Sequence, residues 1–176
     1  MFTLVVGGAA SGKSQWAEEL ILKSGQDSRF YVATMQVFDD EDRARVDKHR
    51  AMRAGKSFET VECPTGLDRV CLPARGVVLL ECLSNLAANE LYAPAGAGDG
   101  ALNAILQGVD RLLEQSETLV AVTCDVFSGG NDYAGDTETY LHLLADVNRA
   151  LAARADDVCE VVCGVPCYYK KGGRLL

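Results

Sequence analysis

Gly7-Gly8-Ala9-Ala10-Ser11-Gly12-Lys13-Ser14 sets glycines, a lysine and a hydroxyl at spacings that suit the holding of a polyphosphate. The order fits G-x-x-x-x-G-K-[ST], the phosphate-binding P-loop. Its glycines let backbone N–H groups turn inward on an anion. The helix that follows adds the positive end of its dipole. Lys13 is expected to reach the β- and γ-phosphates, and the Ser14 hydroxyl to help hold Mg²⁺. Such a motif specifies a nucleotide without specifying the reaction.

A second candidate is the carboxylate of Glu81, which closes the apolar run Gly76-Val77-Val78-Leu79-Leu80. An acid at that place supports Mg²⁺, directly or through water, or acts as base toward an acceptor hydroxyl. Its bland reading is a cap for the next helix. His49 is one of two histidines, and Arg45, His49 and Arg53 fall at i, i+4 and i+8 on one helix face. Two cations favour a neutral imidazole, the form a nucleophile or base requires, and they also attract phosphate. A solvated helix face explains the same spacing. His142 falls within the apolar stripe expected for Thr137–Ala155 and reads as a partly buried structural histidine. Asp146, Asn148 and Arg149 read as that helix's polar surface or as subunit contacts.

These groups need strands and helices to position them, and the two patterns alternate along the chain. The strands are expected at Phe2–Val6, Arg29–Thr34, Phe58–Val61, Gly76–Leu80, Leu119–Thr123 and Asp157–Cys163, with a closing hairpin around Gly172-Gly173. Helices are expected at Gln15–Lys23, Asp39–Ala54 with Asp39 or Asp40 as cap, Leu83–Tyr92, Ala101–Gln115 and Thr137–Ala155. A shorter one is expected within Pro64–Val70. Ala93–Gly100 and Ser128–Gly135 read as loops. The sum is an α/β fold of the P-loop NTPase type: one domain over residues 1–176, a mainly parallel sheet and helices on both faces. Ligands of such sheets sit at the carboxyl ends of the strands, where the P-loop, Thr34, Glu81 and Cys124-Asp125 all fall.

Composition narrows the partners. A net charge of −8 over 176 residues leaves no dominant basic patch, which argues against nucleic acid or an anionic membrane and for a small-molecule substrate. No apolar run approaches membrane-spanning length. The first residues read as a strand and not a leader, so a cytoplasmic enzyme is expected, and the seven cysteines read as reduced thiols. Cys159 and Cys163, four apart in a strand, read as core packing.

Taken together, these segments resemble the bifunctional adenosylcobinamide kinase / adenosylcobinamide-phosphate guanylyltransferase family of cobalamin biosynthesis. The resemblance is carried by Gly7–Ser14, by Tyr-Val-Ala-Thr at Tyr31–Thr34, by Asp39–Glu41, and by the R-V-x-x-H segment from Arg45 to His49. Phe58–Glu62, Leu79–Cys82 with Asn89, Val147-Asn148 and Gly164–Pro166 continue it, so it covers nearly the whole chain. It implies phosphoryl transfer from ATP or GTP to adenosylcobinamide. It further implies GMP transfer from GTP to the resulting phosphate, giving adenosyl-GDP-cobinamide and pyrophosphate. The resemblance makes His49 the guanylylated nucleophile. Catalytic groups are then His49, Lys13 and Glu81, with Ser14 and Glu81 on Mg²⁺. Gly7, Gly8, Ala9, Ala10, Ser11, Gly12, Lys13, Ser14, Thr34, Arg45, Arg53 and Glu62 are expected beside the nucleotide. A homotrimer is implied as well. Ala10 stands where the family usually has arginine. Asp125, Glu138, Leu141 and His142 stand where it usually has an acid, two cations and a further acid. Two other readings fit the motifs: a P-loop small-molecule kinase lacking guanylyl transfer, or a decayed nucleotide-binding module.

Overall fold

Strands that are apolar at successive positions have no solvent face and require packing on both sides. The computed structural model meets that requirement with one sheet between two layers. It describes residues 1–37, 40–53, 55–126 and 135–176, the side chains at 41, 42, 45, 48, 49, 52 and 53 excepted. In chain order the elements are β1 (Phe2–Gly7), α1 (Lys13–Lys23), β2 (Arg29–Ala33), α2 (Asp40–Arg53), β3 (Phe58–Glu62), β4 (Gly76–Glu81), α3 (Leu83–Tyr92), α4 (Ala101–Gln115), β5 (Ser116–Cys124), α5 (Asp136–Arg154), β6 (Asp157–Val162), β7 (Val165–Lys171) and β8 (Arg174–Leu175).

The sheet runs β3-β2-β4-β5-β1-β6-β7-β8. It is parallel from β3 through β6, and β7 and β8 turn back antiparallel. Alternation within each central strand splits the core. Leu4, Val78, Leu80, Leu119 and Ala121 face one layer with α3, α4 and α5, through Leu86, Ile105, Val109, Leu144 and Leu151. Val5, Val77, Leu79, Val120 and Val122 face the other, with Ala17 and Ile21 of α1. Each fully buried Leu or Val contributes about 1.5–3 kcal/mol. No described helix is long and apolar enough to cross a membrane.

Several details depart from the sequence reading. Only one 3₁₀ turn, Leu67–Arg69, forms within Pro64–Val70, because Gly66 enters at φ 68 and Val70 is already extended. His142 is exposed, its side chain 76% accessible and 3.7 Å from Glu138. The buried stripe of α5 runs through Leu144, Val147 and Leu151, and position 142 lies well round the helix from it. Cys159 is buried as expected, but β6 ends at Val162 and Cys163 is exposed in the turn at φ 51. Asp146 and Arg149 do pair on the surface, whereas Asn148 turns inward and its Oδ1 accepts from Thr123 Oγ1 at 2.8 Å. Asp39 and the Ser128–Gly135 loop up to residue 134 lie outside the described residues.

Candidate functional site

Parallel strands deliver their carboxyl ends to one edge of the sheet, and the P-loop leaves β1 at that edge. Gly7 is obligatory there: a Cβ would stand 2.5 Å from Ser11 Oγ and 2.9 Å from the Val161 carbonyl. Gly12 caps α1 at φ 90, a conformation that favours glycine, and makes no side-chain hydrogen bond. The first-turn N–H groups of α1 thus have no side-chain cap competing for them, which suits an anion. Ala10 adopts φ 56 at a cost of order 1 kcal/mol, a strain typical of functional loops. The loop is braced from β6–β7: the Gly164 N–H donates to the Ser11 carbonyl at 2.8 Å. That contact gives the Gly164–Pro166 segment a physical role. Lys13 Nζ folds over the loop and donates to the Gly8 carbonyl at 3.1 Å.

The acid of β4 reaches the same place. Ser14 Oγ donates to Glu81 Oε1, and Tyr31 OH donates to Glu81 Oε2 at 3.2 Å. A hydroxyl and a carboxylate meeting beside a P-loop form the hard-oxygen donor set that Mg²⁺ takes, with waters and phosphate oxygens completing it. The residues present therefore fit the ion. The Glu81–Cys82 peptide is cis.

Thr34 behaves differently from expectation. It is fully buried, its hydroxyl accepting from the Cys82 N–H and donating to the Cys82 carbonyl, both at 2.8 Å. It braces the turn after Glu81 from behind and does not line the cavity. Asn89 completes the brace, its Nδ2 donating to the carbonyls of Thr34 at 2.7 Å and Pro64 at 2.9 Å.

A cavity of about 340 Å³ opens over these groups. Ala9, Lys13, Ser14, Tyr31 and Glu81 form one wall; Val46, Arg50 and Glu62 form the opposite one. Glu62 closes β3 and accepts from Arg50 Nη2 at 2.9 Å. The structure thus places Glu62 on the cavity and adds Arg50, which the sequence reading passed over in favour of the neighbouring row. The side chains of Arg45, His49 and Arg53 lie outside the described residues; the backbone places all three on α2.

Two thiols also belong to the lining; the sequence places Cys124 at the ligand edge but does not pair it with Cys82. Cys82 follows β4, and Cys124 ends the adjacent strand β5. Hydrogen bonding toward Cys82, then Ser84 and the charge of Lys13, hold Cys124 well below the ordinary thiol value against the opposing effect of burial. Hydrogen bonding toward Cys124, followed by burial, pushes Cys82 up. Only the order of strands in the sheet reveals the pair, since 41 intervening residues hide it in the chain.

A P-loop behind a buried strand, with an acid from a nearby strand touching its serine, defines a P-loop nucleoside-triphosphate-binding protein. Comparison with solved structures agrees at the level of fold: a solved ATPase domain aligns with TM-score 0.51 at 14% identity, covering 90% of this chain and 68% of that one. Within that class the family is settled by sequence. The pattern of the family described as cobinamide kinase / cobinamide phosphate guanyltransferase matches residues 3–168, and the chain belongs to this family. Two of its relatives are bifunctional adenosylcobalamin biosynthesis proteins CobU. That of Escherichia coli strain K12 is 35% identical over 94% of this chain and 97% of its own length. That of Salmonella typhimurium strain LT2 is 34% identical with the same coverage.

Proposed function

We propose that the chain phosphorylates adenosylcobinamide with a nucleoside triphosphate and then transfers GMP from GTP to the phosphate, giving adenosyl-GDP-cobinamide and pyrophosphate. The observation that carries the reading is the meeting of Ser14 with Glu81 at the P-loop, in a chain of this family. Nearly full-length similarity to proteins named bifunctional supports both halves.

In the kinase half, the loop N–H groups and Lys13 cradle the β- and γ-phosphates, and the substrate hydroxyl attacks the γ-phosphorus in line. The O–P bond to the acceptor forms as the β–γ bridge breaks. Ser14 and Glu81 would hold Mg²⁺, which would supply positive charge to offset that developing on the phosphate oxygens. The Tyr31 hydroxyl fixes the Glu81 carboxylate from its other oxygen. Positioning and preorganised charge supply most of the acceleration in such transfers.

In the guanylyl half, the neutral His49 imidazole attacks the α-phosphorus of GTP. A P–N bond forms, pyrophosphate leaves, and the phosphate oxygen of the acceptor then displaces the histidine. Val46 and Arg50, on either side of His49 in sequence, line the cavity opposite Lys13, which supports a nucleophile delivered from α2. A homotrimer completes the proposal; the exposed Val165, Tyr169, Leu175 and Leu176 at the C-terminal end offer apolar surface for assembly, and sedimentation checks the mass.

The test is incubation with adenosylcobinamide phosphate, GTP and Mg²⁺, resolved by mass spectrometry. Adenosyl-GDP-cobinamide with one pyrophosphate per turnover is the expected result. Bound GTP without that product contradicts the guanylyl half, and adenosylcobinamide with ATP or GTP then tests the kinase half alone.

A further inference from the structure

Of the seven cysteines, Cys63 and Cys159 are buried and burial pushes both thiols up to about 11, while Cys71, Cys163 and Cys167 are exposed. Cys82 and Cys124 differ from all of these. Both open onto the nucleotide cavity, which Lys13 also lines. Ser84 ties them together: its Oγ lies 3.5 Å from Cys82 Sγ and accepts the Cys124 N–H at 3.2 Å. Glu81 is in register with Val122, so the two cysteines leave adjacent strands one residue out of step. Adjacent strands lie about 4.8 Å apart, and a disulfide bridges Cα atoms about 4.4–6.8 Å apart.

We propose that Cys82 and Cys124 form a peroxide-responsive dithiol site on the floor of the nucleotide cavity, whose oxidation to a disulfide shuts off nucleotide binding. The oxidant is hydrogen peroxide. The Cys124 sulfur attacks its distal oxygen; an S–O bond forms, the O–O bond breaks, and the leaving oxygen departs as water after taking up a proton. The Cys82 sulfur then attacks Cys124; the S–S bond forms, the S–O bond breaks, and its proton leaves with the hydroxyl as a second water. Two thiols lose two electrons and the peroxide gains them. The bond draws the Cys124 sulfur away from Lys13 and pulls on Cys82, the residue next to Glu81. Both phosphate-side groups are displaced together. Nucleotide already seated on Lys13 covers the sulfur and slows the attack.

The experiment uses the full chain with the exposed cysteines replaced, Cys71→Ser, Cys163→Ser and Cys167→Ser, treated with hydrogen peroxide with and without Mg²⁺–GTP. Unreduced peptide mapping is expected to find a Cys82–Cys124 crosslink, with two thiols lost per chain. Affinity for a fluorescent GTP analogue is expected to fall by about tenfold or more. Dithiothreitol should reverse both, and GTP should slow both. Cys82→Ser, checked for folding by circular dichroism, should instead carry Cys124 on to a sulfinic acid that dithiothreitol does not reverse. Absence of the crosslink overturns the proposal, and so does a crosslink that leaves GTP affinity unchanged. The mapping reads the thiols directly, so it stands apart from any failure of cobinamide turnover.

Discussion

The two walls of the nucleotide cavity are built in opposite ways. The P-loop wall is over-determined: Gly164 holds Ser11, Tyr31 and Ser14 hold Glu81, and Thr34 and Asn89 hold the turn that follows. On the facing wall, every α2 side chain that the structure describes is exposed except Val46, which is half-buried. Arg50 meets Glu62 there with both side chains about half exposed. The difference teaches a division of labour. Groups that must bear on a polyphosphate gain from rigidity, because preorganised charge needs no reorganisation during transfer. A helix with little buried apolar surface opens at low cost, which would suit a group that first takes up GMP and then gives it to an acceptor.

Attacking each wall in turn breaks or sharpens this contrast. Lys13→Ala removes the only side-chain cation placed over the P-loop among the described residues, and both transfers should slow by about 10²–10³-fold; steady-state assays of each half measure it. Glu81→Gln keeps the shape and removes the charge. It should raise the Mg²⁺ concentration needed for half-maximal rate and slow both transfers, by less than Lys13→Ala, while a Mg²⁺ response identical to wild type would argue against metal support by Glu81. Asn89→Ala leaves the Thr34 and Pro64 carbonyls without their donor and should cost about 1–3 kcal/mol of stability, read from denaturant unfolding. Arg50→Ala, on the exposed wall, should cost under about 1 kcal/mol, since exposed ion pairs contribute little. Its effect belongs in KM for the nucleotide, and a stability loss as large as that of Asn89→Ala would erase the contrast between the walls.

The braced wall is the more legible of the two in sequence. The P-loop is a local pattern, so its spacing in sequence is its geometry, and Glu81 is visible as the polar end of a fully apolar strand. Thr34 is misplaced by sequence because a strand-end position does not tell whether a side chain meets the ligand or the turn behind it. Arg50 escapes notice because the row Arg45, His49, Arg53 carries the more suggestive residue types, and only the contact of Arg50 with Glu62 and the cavity lining show that Val46 and Arg50 face the site. His142 is misread because the expected stripe is not anchored to the helix's true buried face. The Cys82–Cys124 pair depends on β4 lying beside β5, a tertiary fact that no local spacing encodes.

The central claim is that GMP passes through His49 while the P-loop holds its triphosphate. It is tested most directly by incubating the protein with α-labelled GTP and Mg²⁺, denaturing it, and following the label in wild type, His49→Ala and Lys13→Ala. The account predicts an acid-labile, base-stable label on the wild type that maps to His49, is absent from His49→Ala and is sharply reduced in Lys13→Ala. GTP binding with no covalent label, or a label that survives His49→Ala, would contradict it.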